Sequence, residues 1–237
     1  MGFLAWNLAL GLKGLVSKTT YSHNVLIDGQ KGIYYSNCSC FVSYIVNHIS
    51  PEAFQEIPKD KCVKPPAARA TKWASYFADG AAAQGTSKFW EGIPIVKDAR
   101  EGDVLSWGFS VDEKCKIQAG HHDTGHVMII TKGPKGEAPV TIDKDGKWAY
   151  VWVADASNVK HLKDTNFGAR YSELTVFNTK NPGKTSGESK VSGIGLGQVK
   201  LGLLPDGKPN GHFVLQTKLV DNSKIGIGRA IGKAQTK

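Results

Sequence analysis

The sequence predicts an α+β domain in which helices come first and strands second. Three observations carry that expectation. Apolar residues recur at helical spacing in the first part of the chain, β-branched and aromatic runs bounded by turns dominate the rest, and no repeat or clean linker divides it. A chain of 237 residues is long enough to bury one full core. The expected organisation is therefore a single domain over 1–237, with a mainly helical part over 1–90 and a mainly antiparallel sheet over 91–237.

The apolar start, Met1 to Leu12, lacks a basic lead and a small-x-small cleavage site and contains the polar Asn7. It reads as an amphipathic helix rather than a signal peptide. Residues 17–28 are polar and turn-rich and include Tyr21, and Tyr34 to Ser36 read as extended or irregular chain. Phe41, Val42, Ile45, Val46 and Ile49 then mark one face of a helix that starts near Cys38 and ends before Pro51. A second helix opens at Pro51, and a third is expected from Ala67 to about Ala78 with Trp73, Tyr76 and Phe77 as anchors.

Strands follow at Val104–Trp107, His126–Thr131 and Ala149–Asp155, the last two expected as antiparallel neighbours. Leu174–Phe177, His212–Thr217 and Ile225–Arg229 are further strand candidates. Gly193-Ile194-Gly195-Leu196-Gly197 lacks the following helix and the lysine of a phosphate loop, so it reads as a turn or bulge.

Hydrophobic residues make up 41% and charged residues 22%, as in ordinary soluble globular proteins, and no apolar run reaches membrane-spanning length. The net charge is +9, and residues 181–237 carry nine Lys and Arg against three acidic residues. That excess suits an anionic polymer or simply a solvated basic face. No nucleic-acid-binding motif accompanies it. Four cysteines without a Cys-x-x-Cys pair do not make a zinc site or a disulfide scaffold; Cys62 and Cys115 either pair in an oxidising compartment or stay free.

Chemistry centres on Cys38. A thiol in the first turn of a helix faces unpaired backbone N–H groups and the positive end of the helix dipole, which favour thiolate. A thiolate nucleophile needs an imidazole, and the imidazole needs a group to orient it. His126 opens one strand and Asp155 closes the next, so antiparallel pairing puts them side by side at one edge. Cys40 is the rival thiol and reads as a small packing residue. His122 and His126 have metal-ligand spacing only on a helix, whereas Gly125 and the run after it indicate a strand. His121 and His122 read as loop histidines, and His161 with Asp164 as a pair behind Asp155 or as solvated loop residues.

Asn37-Cys38-Ser39-Cys40-Phe41-Val42 resembles the Asp-Cys-Ser-Gly-Phe-Val signature of the NlpC/P60 family of papain-like cell-wall peptidases. Arg100 to Trp107 resembles its Pro-Gly-Asp-Leu segment, Thr124 to Ile130 its Gly-His-Val-Gly-Ile strand, and Val153 to Ser157 the position of its third polar residue. The resemblance implies a papain-like fold, with Cys38 as nucleophile, His126 as base and later acid, and Asp155 as the orienting group. It further implies Tyr21 as a lining of the oxyanion site and matches Ser39 to the family serine. Asn37 and Cys40 depart from the family's aspartate and glycine, and the aspartate helps bind the amine of a cell-wall peptide.

The implied activity is a cysteine hydrolase cleaving a peptide amide in bacterial peptidoglycan, needing no cofactor or metal. Two alternatives stand beside it: a thiol hydrolase or acyltransferase on another acyl or isopeptide substrate, and a non-catalytic module that binds a polyanion. A wall enzyme would work outside the cytoplasm, although no export signal is legible.

Overall fold

The computed structural model describes residues 18–28, 30–61, 67–109, 125–158, 161–165, 193–214, 218–221 and 223–231. The expected N-terminal helix, the loop histidines His121 and His122, Cys62, Cys115 and the strand expected at 174–177 lie outside them. Within them the chain is a mixed α+β structure with few helices and a large antiparallel sheet.

The helical part opens on strands. β1 (Lys18–Tyr21), β2 (Leu26–Asp28) and β3 (Ile33–Ser36) form a small sheet in the order β1-β3-β2, with β1 parallel to β3. Alternate burial of Tyr34 and Ser36 in β3 is the signature of a half-covered strand, so this stretch is regular rather than irregular. Helix α1 (Cys38–Ile49) follows at once, then α2 (Pro51–Glu56) and α3 (Ala70–Ala78). Pro51 opens α2 at its first position, where its missing N–H costs nothing. No helix among the described residues is long and apolar enough to cross a membrane.

The large sheet has ten strands: β4 (Trp90–Gly92), β5 (Val104–Gly108), β6 (Gly125–Ile130), β7 (Val140–Ile142), β8 (Trp148–Ser157), β9 (Leu162–Thr165), β10 (Gly193–Leu203), β11 (Pro209–Val214), β12 (Lys218–Val220) and β13 (Lys224–Ala230). Its main path runs β12-β11-β10-β8-β6-β5-β13-β4. β6 and β8 are antiparallel neighbours, with Ile129 opposite Ala154. The segment from Gly193 is not a turn or bulge. It is the longest strand among those described, paired with β8 residue for residue from Gly193–Ser157 to Gly202–Trp148.

Strand alternation splits the core in two. Val127, Ile129, Ala154 and Ala156 face the helices and meet Phe41, Val42, Ile45, Trp73 and Phe77. Met128, Ile130, Val151, Val153, Val199 and Ile227 fill the other face. Three strands separate β5 from β11, yet Trp107 and His212 stack at 4.4 Å on that second face. The sheet therefore curls, and its concave side encloses the second cluster. On the convex side α3 lies so close to β13 that a Cβ at Gly226 would stand 2.5 Å from the Ala74 carbonyl oxygen. Glycine there lets helix and strand approach.

Candidate functional site

β3 delivers the chain to Cys38, and Asn37 caps the helix that begins there. The Asn37 side-chain oxygen accepts from the Cys40 N–H at 2.9 Å, and its carbonyl accepts from the Phe41 N–H at 3.0 Å. The Cys38 and Ser39 N–H groups stay at the open end of the helix. Asn37 is thus the helix cap, its amide oxygen serving as the accepting group. Ser39 lies beside the nucleophile candidate, with its Oγ 3.9 Å from Cys38 Sγ.

The small sheet is pinned to the large one by Thr19, whose Oγ1 accepts from the Ile194 N–H at 2.9 Å. Ile194 pairs with Ala156 on β8, next to Asp155. One clamp therefore fixes the strands that feed the thiol relative to the strand that carries the carboxylate. Tyr21 stands opposite Ser36 in the β1–β3 register, two residues ahead of Cys38, and its ring meets His23 edge-on at 5.5 Å.

His126 is the second residue of β6. Gly125 before it adopts φ +124°, and a Cβ there would stand 2.1 Å from the Trp107 carbonyl oxygen, so only glycine fits this entry to the strand. Ser106 Oγ lies 2.9 Å from the carbonyl oxygens of both His126 and Ala70, tying the strand to the start of α3. Trp107 is directly opposite His126, and their rings pack at 5.6 Å. His212 covers the far side of Trp107 and is itself held by Ser223 Oγ at 2.8 Å from Nδ1.

Asp155 is fully buried, and its Oδ2 is engaged by His126 Nε2 in a hydrogen bond and by His161 Nε2 at 2.8 Å. Nδ1 is then the His126 nitrogen left for Cys38, which lies near enough to act on the charge of the ring. Burial alone would favour the neutral imidazole. The negative charge of an ionised Cys38 and the Asp155 carboxylate outweigh it and raise His126 from its ordinary value to about 10. Cys40 is different: burial raises its thiol above the usual value, which keeps it protonated and a poor nucleophile.

No protein-family model matches the chain, and neither do curated proteins or solved structures. What the site can do is accordingly read from its own geometry. Three sequence-marked residues, Cys38, His126 and Asp155, meet at one place; Asn37 and Ser39 flank the thiol, and Tyr21 lies one strand away. His161 is no solvated loop residue, since it is largely buried and bonded to Asp155. The Asp164 side chain lies outside the description. Trp107 and His212 escaped the sequence reading as site residues, because an aromatic and a histidine inside strands look like ordinary core.

Proposed function

We propose that this protein is a cysteine hydrolase with a papain-like arrangement, acting on a peptide amide of peptidoglycan. The observation that supports it is the convergence of a helix-N-terminal thiol, an imidazole and a buried carboxylate in the chain order Cys38, His126, Asp155. The choice of peptidoglycan rests on the NlpC/P60-like motifs alone.

In this reading the Cys38 thiolate attacks the scissile carbonyl carbon, and the oxyanion is received at the helix N-terminus by the Cys38 N–H. The His126 imidazolium passes its Nδ1 proton to the leaving amine as the C–N bond breaks, giving a thioester on Sγ. Neutral His126 then takes a proton from water, the hydroxide equivalent attacks the thioester, and the carboxylic acid leaves as Sγ regains its proton-sharing partner. Asp155 holds the ring through Nε2 during both steps, and His161 holds Asp155.

Purified peptidoglycan incubated with wild type and with Cys38→Ala tests the substrate and the chemistry together. Lysis by wild type that disappears in the variant is the expected result. A thiol-reactive probe separates substrate from chemistry. Fast labelling of Cys38 well below pH 8.5, lost in His126→Ala, is expected even where peptidoglycan proves the wrong substrate. Labelling no faster than an ordinary thiol and unchanged in His126→Ala would count against any thiol catalysis.

A further inference from the structure

We propose that His126 Nε2, His161 Nε2 and the Asp155 carboxylate form a binding site for a divalent transition-metal ion such as Zn2+, and that its occupation silences the Cys38 thiol. The donor atoms of these residues lie within 4.8 Å of one another. Two imidazoles and one carboxylate with an open fourth position make a donor set that suits zinc and disfavours Mg2+ and Ca2+, which take oxygen ligands.

The geometry is close to that of a site. Both rings aim Nε2 at one oxygen, Asp155 Oδ2, so protons now occupy the space where a cation would sit. Zinc–ligand bonds of about 2.0–2.2 Å imply donor separations of roughly 3.3 Å. His161 Nε2 is 2.8 Å from Oδ2, so that pair must open by about half an ångström, and the closer His126–Asp155 pair must open further. The Asp155 side chain is 0% exposed, whereas those of His126 and His161 are 13% and 11% exposed, so an ion enters past the imidazoles. His161 immediately precedes β9, which pairs with β10 through a register irregularity rather than a continuous ladder, and that short segment can adjust.

Protons balance simply. Each ring must offer a bare Nε2, so the protons now lying between the rings and Asp155 leave that space; a neutral imidazole bound through Nε2 carries its one proton on Nδ1, and any surplus proton goes to solvent. His161 releases its Nε2 proton and takes one up on Nδ1. His126 is then locked with a proton facing Cys38 and has no lone pair there to accept one from water. Asp155, bound to the ion, no longer orients the ring. The thioester, once formed, would not be hydrolysed.

The silencing rests on the thiol chemistry proposed above, whereas the binding does not. Calorimetric titration of untagged, full-length Cys38→Ala with Zn2+ isolates the binding. One equivalent should bind, and excess Mg2+ should leave it in place. His161→Ala should weaken it on the order of tenfold or more, and so should His161→Gln, which retains a hydrogen-bond donor for Asp155. Co2+ in place of Zn2+ should give visible absorption bands lost in both variants. In wild type, stoichiometric Zn2+ should suppress turnover of any thioester or peptide substrate, and a chelator should restore it. Absence of one-to-one binding, or binding indifferent to both His161 variants, overturns the site. Stimulation of turnover by Zn2+ overturns the silencing. Tight His161-dependent binding in a protein whose wild type shows no thiol reactivity upholds the site and removes the thiol chemistry instead.

Discussion

Asp103 and Asp155 are both buried carboxylates at the large sheet, yet they are neutralised in opposite ways. Asp103 receives the Arg229 fork, Nε to Oδ1 at 2.9 Å and Nη2 to Oδ2 at 2.8 Å, plus the Arg100 N–H at 2.7 Å. The hydrogen bonds to Asp103 raise Arg229 above its ordinary value, so this cation keeps its proton at every working pH. Asp155 receives two imidazoles, whose protons can leave, arrive or change nitrogen. A buried charge facing a permanent cation holds structure together; the same charge facing imidazoles can take part in moving protons. The two residues therefore separate stability from chemistry within one sheet.

The sharpest break of that separation is at the thiol itself. Cys38→Ala should lower turnover on the order of 10⁴-fold or more while urea denaturation shows a change of only about 1 kcal/mol. A large loss of stability here would merge the two regions. Next in size, Asp103→Asn leaves Arg229 without its buried partner and should cost on the order of 3 kcal/mol in urea denaturation, with thiol labelling of the folded protein unchanged. Asp155→Asn should do the reverse: about a 10²-fold drop in turnover, with less than about 1 kcal/mol of stability lost, because a charge facing two adjustable partners is replaced by a neutral group. If Asp155→Asn costs as much stability as Asp103→Asn, the contrast fails.

Gly125→Ala tests the border between the two. The substitution forces a side chain into φ +124° against the Trp107 carbonyl and should cost about 2 kcal/mol, slowing thiol labelling as His126 is displaced. Glu56 gives the smallest effect and a third way of treating a carboxylate. It is met by neutral donors, the Tyr76 hydroxyl at 2.9 Å, the Ser87 hydroxyl and the Lys88 N–H at 3.2 Å. Burial pushes its pKa up, but these bonds prevail and hold it below its ordinary 4.5. Its stabilisation is thus present above pH 4.5 and lost as pH falls through the lower folded value. Thermal melts should show wild type losing Tm over that window more steeply than Glu56→Gln, which starts about 1 kcal/mol less stable at pH 7.

The helices were legible because burial of one face leaves a period in the sequence: Phe41, Val42, Ile45 and Val46 are all buried against the sheet. The pairing of β6 with β8 was legible for a similar reason, since a β-branched run states its strand and a turn states its neighbour. β10 was not. Gly193, Gly195 and Gly197 look like a turn in one dimension, but they continue a ladder in which Gly195 lies opposite Asp155 and Gly197 opposite Val153. β3 was half legible, read as extended or irregular chain, but β1 and β2 were hidden, because short polar strands carry little periodicity and the parallel pairing of β1 with β3 needs no local turn. In the site, Cys38, His126 and Asp155 announced themselves by residue type and position at element ends. His161 behind Asp155 was one of two readings the sequence offered, and its hydrogen bond to Asp155 decides for it, whereas His212 acquires meaning only from what the curled sheet sets beside it.

Thr19 waits for Ile194. The hydrogen bond that seats the thiol-bearing strands against β10 joins residues 175 positions apart, so during synthesis the ribosome must release nearly the whole chain before the clamp can close. Contacts of such long sequence separation form late and slowly. A nascent or truncated chain would carry Cys38 before β8 and β10 had set Asp155 in its place, and the candidate site would be assembled only when the sheet is complete. The order in which the site is assembled is in this way written into the topology.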